Sequence, residues 1–158
     1  MIGESGDGPL RAELQALAPD AIFTGQLGRA ELAQHYASAD IFAFPSKTET
    51  FGNVVLEAMA SSLAVVAFDY AAASGAIEHG QSGLLAPCEG NDAFVLHVMA
   101  LVRNAALRRQ LRSQARVAAQ RSDWGGIITQ VEVIMKQALC SHAAAASARR
   151  SVAAQQMA

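Results

Sequence analysis

An α/β fold is predicted, with a parallel sheet of about five strands, helices on both faces and further helices toward the C-terminus. Three observations predict it. Short apolar runs, Ala21-Ile22-Phe23, Ile41-Phe42-Ala43-Phe44 and Leu63-Ala64-Val65-Val66-Ala67-Phe68, alternate with helix-forming stretches, as in βα units around a buried parallel sheet. From residue 91 onward the pattern is helical only. Finally, 158 residues with 52% apolar and 16% charged content suit one domain with a substantial core.

The elements follow in order. Met1-Ile2 reads as a first strand, and residues 9–17 as a helix with Pro9 in its first turn. A strand around 21–24 leads to a helix over 29–38 with Leu32 and Tyr36 on one face. The strand at 41–44 stops at Pro45, and Val54-Val55-Leu56-Glu57-Ala58-Met59-Ala60 reads as a helix. Residues 63–68 form a buried strand, 69–77 a loop, and Gly83-Leu84-Leu85 a short strand after a glycine turn. Asn91 caps a helix with Phe94, Val95, Val98, Leu101 and Val102 on its inner face. Asn104 caps another with Leu107, Leu111 and Ala115 inward. Ser122 or Asp123 caps a third, with Ile127, Ile128, Val131, Ile134 and Met135 as a buried stripe and Trp124 as core. The domain is expected to span 1–140, and the Ala-rich tail 141–158 to be frayed helix or disorder.

Composition narrows the function. There is no run of about 18 apolar residues and no signal-type N-terminus, so a cytoplasmic, soluble domain is expected. Cys88 and Cys140 lack metal-ligand spacing and read as reduced structural thiols. His35, His79, His97 and His142 are widely spaced and read as structural or surface histidines. The net charge of −2 hides −9 through Asp92 and +7 after it. An acidic first half cannot attract an anionic ligand at long range, so phosphates need local amides and nearby cations. Lys47 reads as a surface lysine within reach of such a phosphate. Arg103, Arg108, Arg109, Arg112 and Arg116 read as a solvated helix face; no nucleic-acid partner is expected, and peripheral membrane contact of a longer enzyme stays open.

The segment with chemistry is Glu49-Thr50-Phe51-Gly52-Asn53-Val54-Val55-Leu56-Glu57. A strand, a loop with Gly52 and a helix N-terminus put unpaired N–H groups and the positive dipole end at the carboxyl end of a parallel strand, where an anion docks. Glu49 falls in the loop and Glu57 about a turn into the helix. Two acceptor carboxylates there suit hydroxyl-rich ligands such as a hexose and a ribose.

In family order stand Gly6-Asp7-Gly8-Pro9-Leu10, Phe23-Thr24-Gly25, Tyr36-Ala37-Ser38-Ala39-Asp40, Phe44-Pro45-Ser46, the Glu49/Glu57 segment, Glu57-Ala58-Met59-Ala60 and Gly80-Gln81-Ser82-Gly83-Leu84-Leu85. On these, residues 6–133 resemble the C-terminal, donor-binding domain of retaining GT-B glycosyltransferases of the family 4, or glycosyl transferases group 1, type. The resemblance implies a Rossmann-like domain, half of a GT-B fold. It implies transfer of a hexose from UDP or GDP to an acceptor hydroxyl with retention, without a cofactor or metal. It assigns Glu49 to donor-sugar hydroxyls in a catalytic role, and Thr50, Phe51, Gly52, Asn53 and Val54 to sugar and phosphate. Glu57 would hold the ribose, with Phe23, Thr24, Gly25 and Leu27 around the nucleotide.

By the same resemblance the chain is half an enzyme, N-terminally truncated. The Arg/Lys loop that clamps the diphosphate and the N-terminal GT-B domain with its acid/base-like histidine are expected partners, and the fragment alone is expected inactive. Glu4-Ser5 replace an expected Val or Ile. Ser62-Leu63-Ala64-Val65-Val66 replace the common Gly-Leu-Pro-Val-Val, so a glycine C-cap is missing at a cost of about 1 kcal/mol. Ser74 and Gly75 stand where near relatives carry Arg and Glu. These changes support the alternative, a non-catalytic nucleotide-sugar-binding or regulatory module; an epimerase or phosphorylase of the same architecture is a third reading.

Overall fold

The computed structural model describes residues 3–4, 8–48, 53–121 and 132–137. Strands and helices alternate: β1 (Gly3–Glu4), α1 (Arg11–Leu17), β2 (Ile22–Phe23), α2 (Arg29–Ser38), β3 (Ile41–Phe44), α3 (Asn53–Ala60), β4 (Ala64–Phe68), α4 (Ala71–Ala76), β5 (Leu84–Ala86), α5 (Asn91–Arg103) and α6 (Ala105–Arg121). All the pairings are parallel. The described strands form two sheets, β1-β2 and β3-β4-β5, rather than one of about five, so the continuous sheet has three strands. Apolar runs locate strands but not the hydrogen bonds between them, and β1 and β2 pair over two residues only. β1 takes in Glu4, opposite Phe23, and the strand expected at Met1-Ile2 lies outside the described residues.

β4 is the centre of the core. Every residue from Ala64 to Phe68 is buried, and alternate side chains go to opposite faces. Val65 and Ala67 join Tyr36, Val55, Ala58, Met59, Leu63, Ala73 and Ala115 beneath α2, α3, α4 and the second half of α6. Ala64, Val66 and Phe68 join Leu84, Ala86, Phe94, Leu101 and Leu111 beneath α5 and the first half of α6. Phe68 stacks on Phe94 with ring centroids 5.0 Å apart.

α6 therefore serves both layers, and Arg112 fastens it to the amino ends of the strands. Its Nε donates to the Ser62 carbonyl at 2.7 Å, and its guanidinium pairs with Asp40. Ser62 ends α3 in the left-handed region at φ 62°. The Ser62 N–H donates to Met59 O and the Leu63 N–H to Ala58 O, both at 3.0 Å. This double closure is the one glycine usually makes, so serine takes the missing glycine's conformation.

Four helix readings need correction. α4 lies within the expected loop at 69–77; three alanines favour helix but offer no apolar periodicity to read. Gly90, not Asn91, occupies the N-cap of α5, and Asn91 is its first helical residue. Val95 and Val102, expected inward, are exposed. The Asn104 cap stands as expected: its Oδ1 accepts from the Ala106 and Leu107 N–H groups at 3.1 and 3.0 Å. Residues 132–137 are helical, but Ile134 and Met135 are exposed rather than buried. Ser122, Asp123, Trp124, Ile127, Ile128, Val131, Cys140, His142 and the tail lie outside the described residues.

Candidate functional site at the strand carboxyl ends

Among the described residues, the carboxyl end of the three-stranded sheet is where unlike polar groups meet. After β3, Lys47 reaches across to the start of α5, its Nζ donating to Asn91 Oδ1 at 2.9 Å and standing 4.6 Å above the Phe68 ring. After β4, Asp69 turns the chain: its N–H donates to Ala86 O at 2.7 Å and its Oδ1 accepts from Ser74 Oγ at 2.6 Å. After β5, the Cys88 thiol donates to the Asp69 carbonyl at 3.5 Å. These bonds tie the three exit loops to one another. The sequence signalled Lys47 but not the Asp69–Ser74 link, which depends on the unforeseen turn of α4.

α3 begins at Asn53, nine residues after β3 ends. Glu49, Thr50, Phe51 and Gly52 lie outside the described residues. Asn53 is exposed, Val54 is half-buried, and Glu57 is exposed one turn in. Val55, Ala58 and Met59 anchor the opposite side of α3 in the core, so Glu57 is held out by packing. Tyr36 of α2 packs edge-on against Phe42, ring centroids 5.7 Å apart. Its phenol is raised above the ordinary 10.0, first by burial and second by the Glu57 charge. Sequence reasoning gave Tyr36 a core role and missed this neighbourhood.

Phe23, Thr24, Gly25 and Leu27 follow β2. Gly25 is buried with φ 69°, a conformation that favours glycine. Thr24 Oγ1 donates to the Gly25 carbonyl at 3.3 Å, and Arg11 Nη2 to the Phe23 carbonyl at 2.9 Å. Glu31 Oε2 accepts from the Gly28 N–H at 3.0 Å and fixes the start of α2. These residues occupy the exit of the two-stranded sheet, and Asn53, Val54 and Glu57 follow β3 of the three-stranded one; α2 joins β2 to β3 along the chain.

A groove of about 520 Å³ lies elsewhere, between α4 and α6, lined by Ser74, Glu78, Gln81, Gln114, Val117 and Arg121 among others. It includes none of the expected site residues. No cluster of three or more His, Cys, Asp or Glu suited to a metal ion occurs among the described residues, and no described helix is long and apolar enough to cross a membrane.

Comparison with known proteins gives this arrangement a context. A family model described as glycosyl transferases group 1 matches residues 2–104. Sulfoquinovosyl transferase SQD2 of Arabidopsis thaliana is 37% identical over 135 residues, 80% of this chain and 26% of that protein. A GDP-mannose-dependent alpha-mannosyltransferase of Mycolicibacterium smegmatis is 35% identical over 153 residues, 94% of this chain and 37% of that protein. HepE of Anabaena, solved in complex with UDP, superposes with a TM-score of 0.64 at 25% identity, covering 85% of this chain and 40% of that one. The chain thus spans between about a quarter and two fifths of the length of these proteins.

Proposed function

The chain belongs to the glycosyl transferases group 1 family, whose model takes in residues 2–104, and on that footing we propose that it supplies the donor site of a retaining glycosyltransferase. The reaction is transfer of a hexose from a UDP or GDP sugar to an acceptor hydroxyl. The observation that carries this reading is Glu57, exposed on the first turns of α3 at the exit of a parallel strand. A purely structural helix has no need of an open carboxylate there. HepE, which holds UDP, and the GDP-mannose-dependent relative support a nucleoside diphosphate of either base.

The roles follow from chemistry. Glu57 accepts the two ribose hydroxyls, and Glu49 accepts hydroxyls of the sugar. Backbone amides from Thr50 to Val54 and the dipole of α3 hold the diphosphate, and they stabilise the negative charge that grows on it as the sugar leaves. Phe23, Thr24, Gly25 and Leu27 border the base through backbone groups. Neutralisation by amides and cations, without a metal, is part of this reading. A partner N-terminal domain brings the acceptor and completes the crevice, so the 158-residue chain alone binds donor weakly and does not turn over.

The test is a two-dimensional NMR titration of the labelled chain with UDP, GDP and their glucose, N-acetylglucosamine and mannose conjugates. Shifts concentrated at residues 23–27 and 49–57 for one nucleotide are expected. Glu57→Ala weakens free nucleotide by about ten-fold or more, the loss of a charged acceptor. Glu49→Ala leaves free UDP or GDP unchanged and weakens only the sugar conjugates. Equal losses of free nucleotide in both variants contradict the division of roles. The non-catalytic alternative keeps one supporting observation, Ser74 engaged with Asp69 where the family resemblance implies a charged pair. Sugar transfer by the chain joined to a partner N-terminal domain excludes it.

A further inference from the structure

The outward side of α5 carries an apolar stripe that no described residue covers. Val95, Leu96, Met99 and Val102 are 57%, 67%, 37% and 56% exposed. At 3.6 residues per turn they fall within about one third of the helix circumference. Phe94, Val98 and Leu101 pack on the opposite side, toward β4 and β5, so the stripe faces away from the sheet. α5 lies flat on the domain, 13 residues long.

Basic residues are concentrated in the segment from the stripe onward. Residues 93–121 contain six arginines and no carboxylate. Arg108 is used internally, donating to Leu101 O and Val102 O, and Arg112 is used at Ser62 and Asp40. Arg103, Arg109 and Arg116 are exposed and form no ion pair with a described residue. Arg103 continues the stripe, four residues after Met99. Asp92 marks its other end, in the first turn of α5.

We propose that this face of α5 docks on an anionic lipid surface, with Val95, Leu96, Met99 and Val102 entering the headgroup boundary and Arg103 meeting lipid phosphates. A helix lying in the interface plane with apolar residues on one side and arginines beside them is suited to that contact. A stable protein interface needs about 800 Å² from each partner, more than four partly exposed side chains on one helix offer. A lipid plane has no such threshold, and each arginine near it adds to the attraction.

Flotation of the full 158-residue chain with vesicles tests this. One vesicle is phosphatidylcholine alone; the other is equal parts phosphatidylcholine and phosphatidylglycerol. The chain is expected to float with the anionic vesicles only. Leu96→Gln with Met99→Gln lowers partitioning by about ten-fold or more, Arg103→Gln lowers it by about five-fold, and Leu96→Ile retains it. All three positions are exposed, and far-UV circular dichroism verifies the fold. The proposal is overturned if the chain ignores both vesicles, floats equally with both, or floats undiminished in the Gln variants. A concentration-dependent dimer that ignores vesicles and is dissolved by Leu96→Gln with Met99→Gln overturns it too, and assigns the stripe to a second copy of the chain.

Discussion

Replacing Ser62 by glycine should stabilise the domain. Ser62 sits at φ 62°, where an L-residue is strained by about 1–2 kcal/mol. Glycine removes that strain but gives the unfolded chain more freedom, offsetting about 0.4–1 kcal/mol. The closing bonds to Met59 O and Ala58 O and the bond from Arg112 to the Ser62 carbonyl involve backbone atoms, so all survive the substitution. The net expectation for Ser62→Gly is a gain of about 0.5–1 kcal/mol, and for a chain of this length a rise in Tm of about 1–4 °C. Urea unfolding followed by circular dichroism measures it, with an unchanged m-value as the check that only stability moved. Ser62→Ala should differ little from the parent, because both bear a Cβ. Ser62→Val should lose stability, since a β-branched residue tolerates this region least. An unchanged or lowered midpoint for Ser62→Gly, with Ser62→Val no worse than the parent, would refute the account of how α3 ends.

Three other outcomes are expected. Arg112→Met costs about 1–2 kcal/mol through the charged bond to the Ser62 carbonyl, whereas Asp40→Asn costs less than about 1 kcal/mol because the pair is exposed; the two denaturation curves separate these parts. Gly83→Ala costs about 1–3 kcal/mol by overpacking, since the new methyl meets Ile77 Cγ2 at 2.9 Å and the Val65 carbonyl at 3.0 Å; Gly75→Ala, with nothing within 4 Å, gains about 0.5–1 kcal/mol of helix preference in α4. Tyr36 titrates above 10.0, so the folded chain keeps this proton to higher pH than the unfolded one. Its contribution is intact below the unfolded pKa of 10.0 and is lost as pH rises through the folded value. Absorbance titration of the phenols reads the shift directly; Tyr36→Phe removes that part of the alkaline loss, and Glu57→Gln reduces it.

Sequence patterns gave this fold where a residue acts through its neighbours in the chain. α2 matches its expected bounds, β3 and β4 follow their apolar runs, and Asn104 caps α6 through its own side chain. Contacts made at long range stayed hidden. Lys47 and Asn91 are 44 residues apart, and Arg112 and Ser62 are 50 apart; neither pairing has a periodic signature. α5 was misread for a related reason. Val95 and Val102 are as apolar as Val98, and only the position of the sheet decides which side of the helix is covered. At the candidate site, the carboxylate on α3 was legible from a strand, a glycine loop and a helix start. Tyr36 was not, because the effect of the Glu57 charge on its phenol runs between helices that share no local pattern.

The departures from the family pattern bear unequally on function. Ser62 lies at the amino end of β4, where Leu63 is buried between α3 and the sheet and Arg112 bonds the turn to α6. Its strain is absorbed there, at the opposite end of α3 from Asn53 and the anion site proposed at its N-terminus. Loss of that glycine therefore gives no reason to assign the domain a non-catalytic role. Ser74 and Gly75 are different, because they follow the carboxyl end of β4, and Ser74 bonds the same Asp69 whose backbone joins the exit loops of β4 and β5. A serine there satisfies a carboxylate within the domain, whereas a charged pair would extend beyond it. Restoring Ser74→Arg with Gly75→Glu breaks the Asp69 link and puts charge at the crevice. If the domain is a working donor site, this pair of substitutions alters the sugar conjugate it prefers while leaving the affinity for free UDP or GDP within about two-fold, since the nucleotide contacts proposed above lie on α3 and after β2. Equal loss for free nucleotide and conjugate would place Asp69 in the nucleotide site itself and overturn that separation.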